Sequence, residues 1–240
     1  MEVHYAERGI IGLINISSCV NLEPELYAMA PDGIAILTGR ISLPRTTPEE
    51  LAKLAEKAEA VTAELATAKP DIILFACTSG SFVNGKNYDT EISLRLSKVA
   101  GGIPVLTTTT AVVNALNALH AKSISFGTPY IESVNRRAEK YFTDNGFNMQ
   151  KIEGLGLDTD YEIGLQTTDT ICDLARRVDM DASDVVVLSC TNIKTAPILD
   201  KLESELHKPV VSANQAMLWN ALREIGVNDK IPGLGSLFML

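Results

Sequence analysis

DIILFACTSG at residues 71–80 and DVVVLSCTNI at residues 184–193 are two copies of one pattern. Each copy begins with Asp, continues with four apolar residues and reaches a Cys-Thr pair, and the two copies are 113 residues apart. Short apolar runs rich in Ile and Val are typical of parallel strands that are buried on both faces. The repeat therefore predicts two similar halves, each with a buried strand that leads to a cysteine.

Further apolar runs alternate with helical patterns along the chain. Strands are predicted at 10–16, 34–37, 72–76, 103–106, 123–127, 185–189 and 209–212. Helices are predicted at 47–68, 86–100, 110–120, 130–145, 162–179, 194–206 and 214–225, and the GLGLDTD run at 154–160 is interpreted as a loop. This alternation predicts an α/β fold of two pseudo-symmetric halves, with helices on both faces of parallel sheets.

The repeat also suggests where the two halves divide. Residues 1–120 are expected to form the first half together with a returning C-terminal segment at 210–240, and residues 121–209 the second half. If the halves pack about a pseudo-twofold axis, Cys77 and Cys190 face each other across a cleft. This cleft lies at the carboxyl ends of the strands, where open α/β sheets bind ligands.

Composition and charge exclude several classes of function. The chain has 240 residues, 46% of them hydrophobic, which is enough for a sizeable core. A net charge of −9 without a basic cluster argues against nucleic acid or an anionic membrane as a partner. No apolar run reaches the ~18 residues of a membrane span, and the N-terminus does not resemble a signal peptide. We therefore expect a cytoplasmic protein whose four cysteines are free thiols, without a metal site.

The two cysteines suggest proton transfer at carbon. A thiol between a buried strand and a helix lies near free backbone N–H groups and the helix dipole, which favour the thiolate. Two opposed thiols supply a base and an acid to a carbon beside a carboxylate. The residues that follow, Thr78, Ser79, Thr191 and Asn192, offer donors to the developing oxyanion. The alternative is that each cysteine is only a small buried hydrophobic residue.

Longer segments carry a family resemblance. They are IGLINISSCVNLEPEL at 11–26, FACTSGSFVNG at 75–85, FGTPYIESVNRR at 126–137, LSCTNI at 188–193 and PVVSANQAMLW at 209–219. On these segments the chain is identified as a member of the aspartate/glutamate racemase superfamily. It is most similar to the branch of arylmalonate decarboxylase, maleate cis-trans isomerase and the racemase-like ectoine-utilization proteins. The resemblance implies a four-stranded parallel sheet in each half, an active site between the halves and no cofactor.

Position by position, the resemblance implies catalytic roles for Cys77 and Cys190. The family's first cysteine is present in racemases and isomerases but is Gly in the decarboxylase, whereas the second is shared. Thr78, Ser79 and Tyr130 match carboxylate-binding positions of the decarboxylase.

A second segment, near the N-terminus, contributes further candidates. Ser17 and Ser18 belong to a segment that reads Pro-Ser-Ser-Asn in maleate isomerases, where this chain has Cys19 instead of the Asn that holds a substrate carboxylate. Arg40 follows an early strand and is expected to help attract the anion.

The predicted function is a cofactor-independent isomerase or racemase of a small carboxylate. The reaction is expected to resemble that of a maleate isomerase or that of an amino-acid or hydantoin racemase. An arylmalonate-type decarboxylase and a non-catalytic small-carboxylate binding protein remain as alternatives. The predicted partners are a small carboxylate substrate and, as a possibility, further copies of the same chain in a homo-oligomer.

Overall fold

The computed structural model describes residues 5–240 and contains two four-stranded sheets. The strands are Gly9–Ile16 (β1), Ile34–Ile41 (β2), Ile72–Phe75 (β3), Val105–Thr107 (β4), Ser123–Tyr130 (β5), Asn148–Leu157 (β6), Val185–Leu188 (β7) and Val210–Ser212 (β8). The sheet orders are β2-β1-β3-β4 and β6-β5-β7-β8, and all the pairings are parallel. The predicted fold class and the internal repeat are thereby confirmed.

Helices connect the strands. They are Leu22–Met29 (α1), Pro48–Leu51 (α2), Leu54–Ala66 (α3), Thr78–Phe82 (α4), Tyr88–Val99 (α5), Thr108–Ala118 (α6), Glu132–Asp144 (α7), Asp160–Leu165 (α8), Thr168–Val178 (α9), Leu199–Leu206 (α10) and Ala213–Glu224 (α11). Two 3-10 helices cover Ala196–Ile198 and Ser236–Met239. Within residues 5–240, no helix combines the length and the apolar character that a membrane span requires.

The core lies where the central strands meet the helices. All residues of β3 and β7 are buried, as the continuous apolar runs predict. Helices α6 and α11 occupy equivalent places after the fourth strand of each half, and they pack against each other. The side chain of Asn114 donates to that of Asn220 at 2.7 Å across this contact. The two halves are thus joined along a helix pair that follows their shared symmetry.

The predicted elements differ from the structure at several places. The helix expected over 47–68 is divided into α2 and α3. Strand β6 is not among the predicted strands, and four of the seven residues of the supposed loop 154–160 belong to it, because this edge strand is only half-buried and carries Lys151 and Glu153 among its apolar residues. The helix expected over 162–179 is interrupted at Gln166-Thr167, where Thr167 caps α9 by accepting from Thr170. The expected 210–240 segment begins too early, since Val210–Ser212 pairs with β7 in the second sheet.

Candidate active site

A small cavity lies between the two halves, at the carboxyl ends of the strands. It encloses about 10 Å³, room for one water molecule at most. Its lining residues come from both halves: Ile16, Leu43, Thr46, Cys77, Thr78, Ser79, Tyr130, Asp160, Ile163, Cys190 and Thr191. Six of the nine predicted site residues are in this set, and the remaining three, Ser17, Ser18 and Asn192, lie beside it.

Cys77 forms the junction between β3 and α4. Its backbone is extended at φ −144°, and its carbonyl accepts the first N–H bond of α4 from Ser81 at 3.0 Å. The thiol lies 3.9 Å from the Ser79 hydroxyl and receives the backbone N–H of Gly80. A Cβ at Gly80 would lie 3.0 Å from the Cys77 sulfur, so glycine permits this close approach.

Cys190 occupies the equivalent place after β7. The backbone N–H of Asn192 donates to its sulfur at 3.4 Å, which parallels the N–H contact of the other thiol. Tyr130, the last residue of β5, is buried and directs its phenol toward Cys190 and toward Ser79 of the other half. The phenol therefore lies between the Cys-Thr turns of the two halves.

Burial opposes ionisation of both thiols, whereas the sequence predicts an environment that favours the thiolate. Burial raises the pKa of Cys77 from 9.0 to about 12, and burial also raises the pKa of Cys190. The N–H contacts lower both pKa values but do not offset burial, and the charge of Asp160 raises them further. The dipoles of the two turns favour the thiolate, but the loss of solvation in the closed cavity outweighs them.

Two buried hydroxyls in the lining lack a partner. Among the described residues, none forms a hydrogen bond with Thr78 Oγ1 or Thr46 Oγ1, although both atoms are shielded from solvent. A buried polar atom without a partner costs free energy unless a ligand or water satisfies it. These hydroxyls are therefore suited to bind a polar ligand beside the thiols, and Thr46 had not been singled out in the sequence.

Three predicted residues support the site from outside the cavity. Ser17 is exposed, and its backbone N–H extends the pairing of β1 by donating to Ile41 at 2.8 Å, so its place at the substrate stays a prediction. Ser18 donates to the Asp160 carboxylate at 2.8 Å. Asn192 accepts the N–H groups of Val20 and Asn21 through its side-chain oxygen and so fixes the loop after β1.

Arg40 lies outside the cavity as well. Its guanidinium donates to the carbonyls of Ser17 at 2.9 Å and Cys19 at 3.3 Å, and it pairs with Glu23. These contacts hold the end of β1 against β2. Its donors are directed to this loop and to Glu23, and its expected help in attracting the anion stays a prediction.

Two segments cover the cavity. Leu43 and Thr46 come from the segment between β2 and α2, and Ile163 from α8. The N–H of Thr46 donates to the Asp158 carbonyl at 2.7 Å, and Arg45 forms an ion pair with the Asp158 carboxylate. A substrate larger than water enters only when these two segments separate.

A larger groove lies elsewhere on the surface. It has a volume of about 510 Å³ and is lined mainly by apolar residues of α1 and of the segment around Ala196 and Pro197. It contains no cysteine among its lining residues. Its single carboxylate, Glu25, is already bound by Thr195, Ala196 and Asn214, so the small cavity is the better catalytic candidate despite its size.

Two matched α/β halves that each contribute a cysteine to a shared cavity define the architecture of the aspartate/glutamate racemase superfamily. The family model of arylmalonate decarboxylase, Amdase, matches residues 11–238. The chain therefore belongs to the arylmalonate decarboxylase family. This places it in the branch that the Cys-Thr turns predict.

Known relatives include two kinds of enzyme. The chain is 26% identical over 240 residues to the maleate isomerase of Geobacillus stearothermophilus, covering 95% of this chain and 96% of that one. It is 28% identical over 231 residues to the arylmalonate decarboxylase of Bordetella bronchiseptica, covering 95% of each.

Solved structures agree with this result. A cysteine-to-serine variant of the maleate cis-trans isomerase of Nocardia farcinica, with a covalently bound succinylcysteine intermediate, has a TM-score of 0.91 and 26% identity, covering 96% of this chain and 98% of that one. A liganded arylmalonate decarboxylase with Gly-to-Cys and Cys-to-Ser changes has a TM-score of 0.88 and 26% identity, at the same coverage.

Proposed function

We propose that this protein is a cofactor-independent isomerase that converts a small cis-unsaturated carboxylate to its trans isomer. The observation that carries the proposal is that Cys77 and Cys190, one from each half, line the same buried cavity. The maleate isomerases among the relatives support the same reaction class. We assign Cys77 as the nucleophile and Cys190 as the acid and base.

The reaction starts with Cys77 as the thiolate and Cys190 as the thiol, so the pair must first lose one proton to solvent. The Cys77 thiolate adds to one alkene carbon, forming a C–S bond, while the π electrons move to the adjacent carbon. The Cys190 thiol gives its proton to that carbon and becomes the thiolate. After rotation about the new single bond, Cys190 removes a proton and the C–S bond breaks, which releases the trans product and restores the pair.

The substrate carboxylate is assigned to the hydroxyls of the turns. Thr78 Oγ1 and Thr46 Oγ1 are the unpartnered donors, and Ser79 and Thr191 line the same cavity. Neutral donors held in a water-poor cavity stabilise charge as it develops on a carboxylate oxygen.

A racemase is the second candidate. The two thiols come from opposite halves, and such an arrangement also removes a proton from one face of a carbon and supplies one to the other. A decarboxylase needs only one proton donor, because loss of carbon dioxide creates the carbanion, and so it leaves Cys77 without a role.

A cytoplasmic location and self-association stay predictions.

Substitution of each cysteine tests the proposal. We expect Cys77→Ser and Cys190→Ser each to lower kcat/KM for maleate or its monoamide at least a thousandfold, measured by proton NMR of the trans product in D2O. Cys172→Ala is the control, because Cys172 is buried within α9 away from the cavity. Full turnover by either serine variant would refute the two-thiol mechanism. Deuterium exchange into a saturated amino acid, without turnover of any cis acid, would instead favour the racemase.

A further inference from the structure

A buried carboxylate lies in the cavity beside the two thiols. Asp160, the first residue of α8, lines the cavity and is only 8% exposed. The Ser18 hydroxyl donates to it at 2.8 Å, and the side-chain amide of Asn192 donates to its backbone carbonyl at 2.8 Å. The position of this carboxylate is therefore fixed by neutral neighbours.

Burial raises the pKa of Asp160, whereas the hydrogen bonds from Ser18 and Asn192 lower it, and no cation among the described residues of the cavity lining pairs with its carboxylate. Of the described residues that form the lining, none is Lys, Arg or His, and Asp160 is the only carboxylic acid. Its charge acts on the whole site, since it raises the pKa of Cys19, Cys77 and Cys190. A carboxylate accepts up to four hydrogen bonds, more than the side chains of Ser18 and Asn192 provide.

A dicarboxylate substrate is therefore poorly matched to the cavity. One end can bind the hydroxyls of Thr46 and Thr78, but a second carboxylate in so small a space would approach Asp160. Like charges close together in a poorly solvated site repel strongly. An end that donates hydrogen bonds would instead be attracted to the same carboxylate.

We propose that Asp160 is a specificity residue that selects a small carboxylate whose other end carries an N–H donor. This inference rests on the proposed function and names its substrate class. A carboxamide and an ammonium group share the required chemistry. A cis-unsaturated acid monoamide is the simplest substrate that combines it with a reactive alkene.

Binding of unreactive analogues tests the inference without any need for turnover. We would measure the affinities of succinate, its monoamide and 4-aminobutyrate by calorimetry for the wild type and for Asp160→Asn. The wild type is expected to bind a nitrogen-bearing analogue at least tenfold more tightly than succinate. In Asp160→Asn this preference should fall at least tenfold, because the asparagine amide can donate to a carboxylate.

The two nitrogen-bearing analogues distinguish the sources of the N–H group. Tight binding of the monoamide alone indicates a carboxamide, and tight binding of 4-aminobutyrate alone indicates an ammonium group. Glu162→Gln is the control, because it removes an exposed carboxylate from the same helix α8 without changing the cavity lining, so it should retain the wild-type preference. If Asp160→Asn does not fold, the preference of the wild type and of Glu162→Gln decides the question.

Three results would overturn the inference. The first is wild-type protein that binds succinate at least as tightly as both other analogues, and the second is a preference that Asp160→Asn leaves unchanged. The third is wild-type protein that binds none of the three analogues. Isomerisation assays with maleate and its monoamide separate the two proposals. The expected binding pattern without isomerisation would refute the proposed reaction but not the role of Asp160.

Discussion

The ionisation of Cys77 gives the sharpest test of the site. Burial raises its pKa from 9.0 to about 12, so the thiolate fraction at pH 7 falls by a factor of about a thousand. Alkylation by iodoacetamide proceeds through the thiolate. In the substrate-free protein we therefore expect Cys77 to react at least about a thousandfold more slowly than a free peptide thiol, with steric shielding slowing it further.

The assay uses a protein in which Cys77 is the only remaining cysteine, and the labelled peptide is quantified by mass spectrometry between pH 7 and pH 10. The rate should rise about tenfold per pH unit over this whole range, without a plateau. Unfolded protein is the control, and its rate should level off near the ordinary thiol pKa. Adding Asp160→Asn should accelerate labelling, because the Asp160 charge raises the pKa of Cys77.

A Cys77 that labels as fast as the unfolded control at pH 7, or whose rate levels off below pH 8, would refute this reasoning. Such a result would mean that the N–H contact from Gly80 outweighs burial. The closed cavity would then not describe the protein in solution.

Three further predictions concern stability and binding. Glu25→Gln should lower the unfolding free energy by about 1.5–3 kcal/mol in urea titrations, because the buried Glu25 carboxylate accepts bonds from Thr195, Ala196 and Asn214. The surface-paired Glu23→Gln should cost no more than about 1 kcal/mol. The unfolding free energy should fall as pH rises from about 9 to about 12, because the folded state binds the proton of the Cys77 thiol more tightly than the unfolded state does. Cys77 contributes up to about 1.4 kcal/mol per pH unit to this slope. A Cys77→Ala variant that keeps the whole slope would contradict this prediction. Thr78→Val should leave the unfolding free energy unchanged or higher by up to about 1 kcal/mol, since Thr78 Oγ1 has no partner among the described residues. The same variant should raise KM about tenfold. An unchanged KM in steady-state assays would place the substrate carboxylate elsewhere.

Much of the architecture could be predicted from the repeat. Buried parallel strands have continuous apolar runs, so β3 and β7 are visible in the sequence, and their matched positions place Cys77 and Cys190 at the same edge of each sheet. Strand β6 could not be found in this way. Its alternating charged and apolar residues reflect half-burial at a sheet edge, which resembles a polar loop when read alone.

The electrostatics of the site could not be predicted from the same motifs. Asp160 follows β6, and only the folding of α8 over the cavity brings it near the thiols. The thiol pKa values depend on the covering residues Leu43 and Ile163, which no motif connects to either cysteine. Local sequence thus identifies the reactive groups, whereas their charge states depend on distant segments.

The first strands of the two halves end in different residues at the cavity. Ile16 and Tyr130 end the equivalent eight-residue strands β1 and β5, and both line the cavity. Cys190 therefore has a phenol as a partner within its own half, whereas Cys77 has an aliphatic side chain at the equivalent place. A hydroxyl that donates to a sulfur stabilises its thiolate and lowers its basicity, as the lowering effect of Tyr130 on the pKa of Cys190 shows. Ser79 provides the equivalent hydroxyl to Cys77, so each thiolate has one backbone N–H and one hydroxyl as donors. The donors are therefore balanced, and substitution of each cysteine in turn is what distinguishes the nucleophile from the acid.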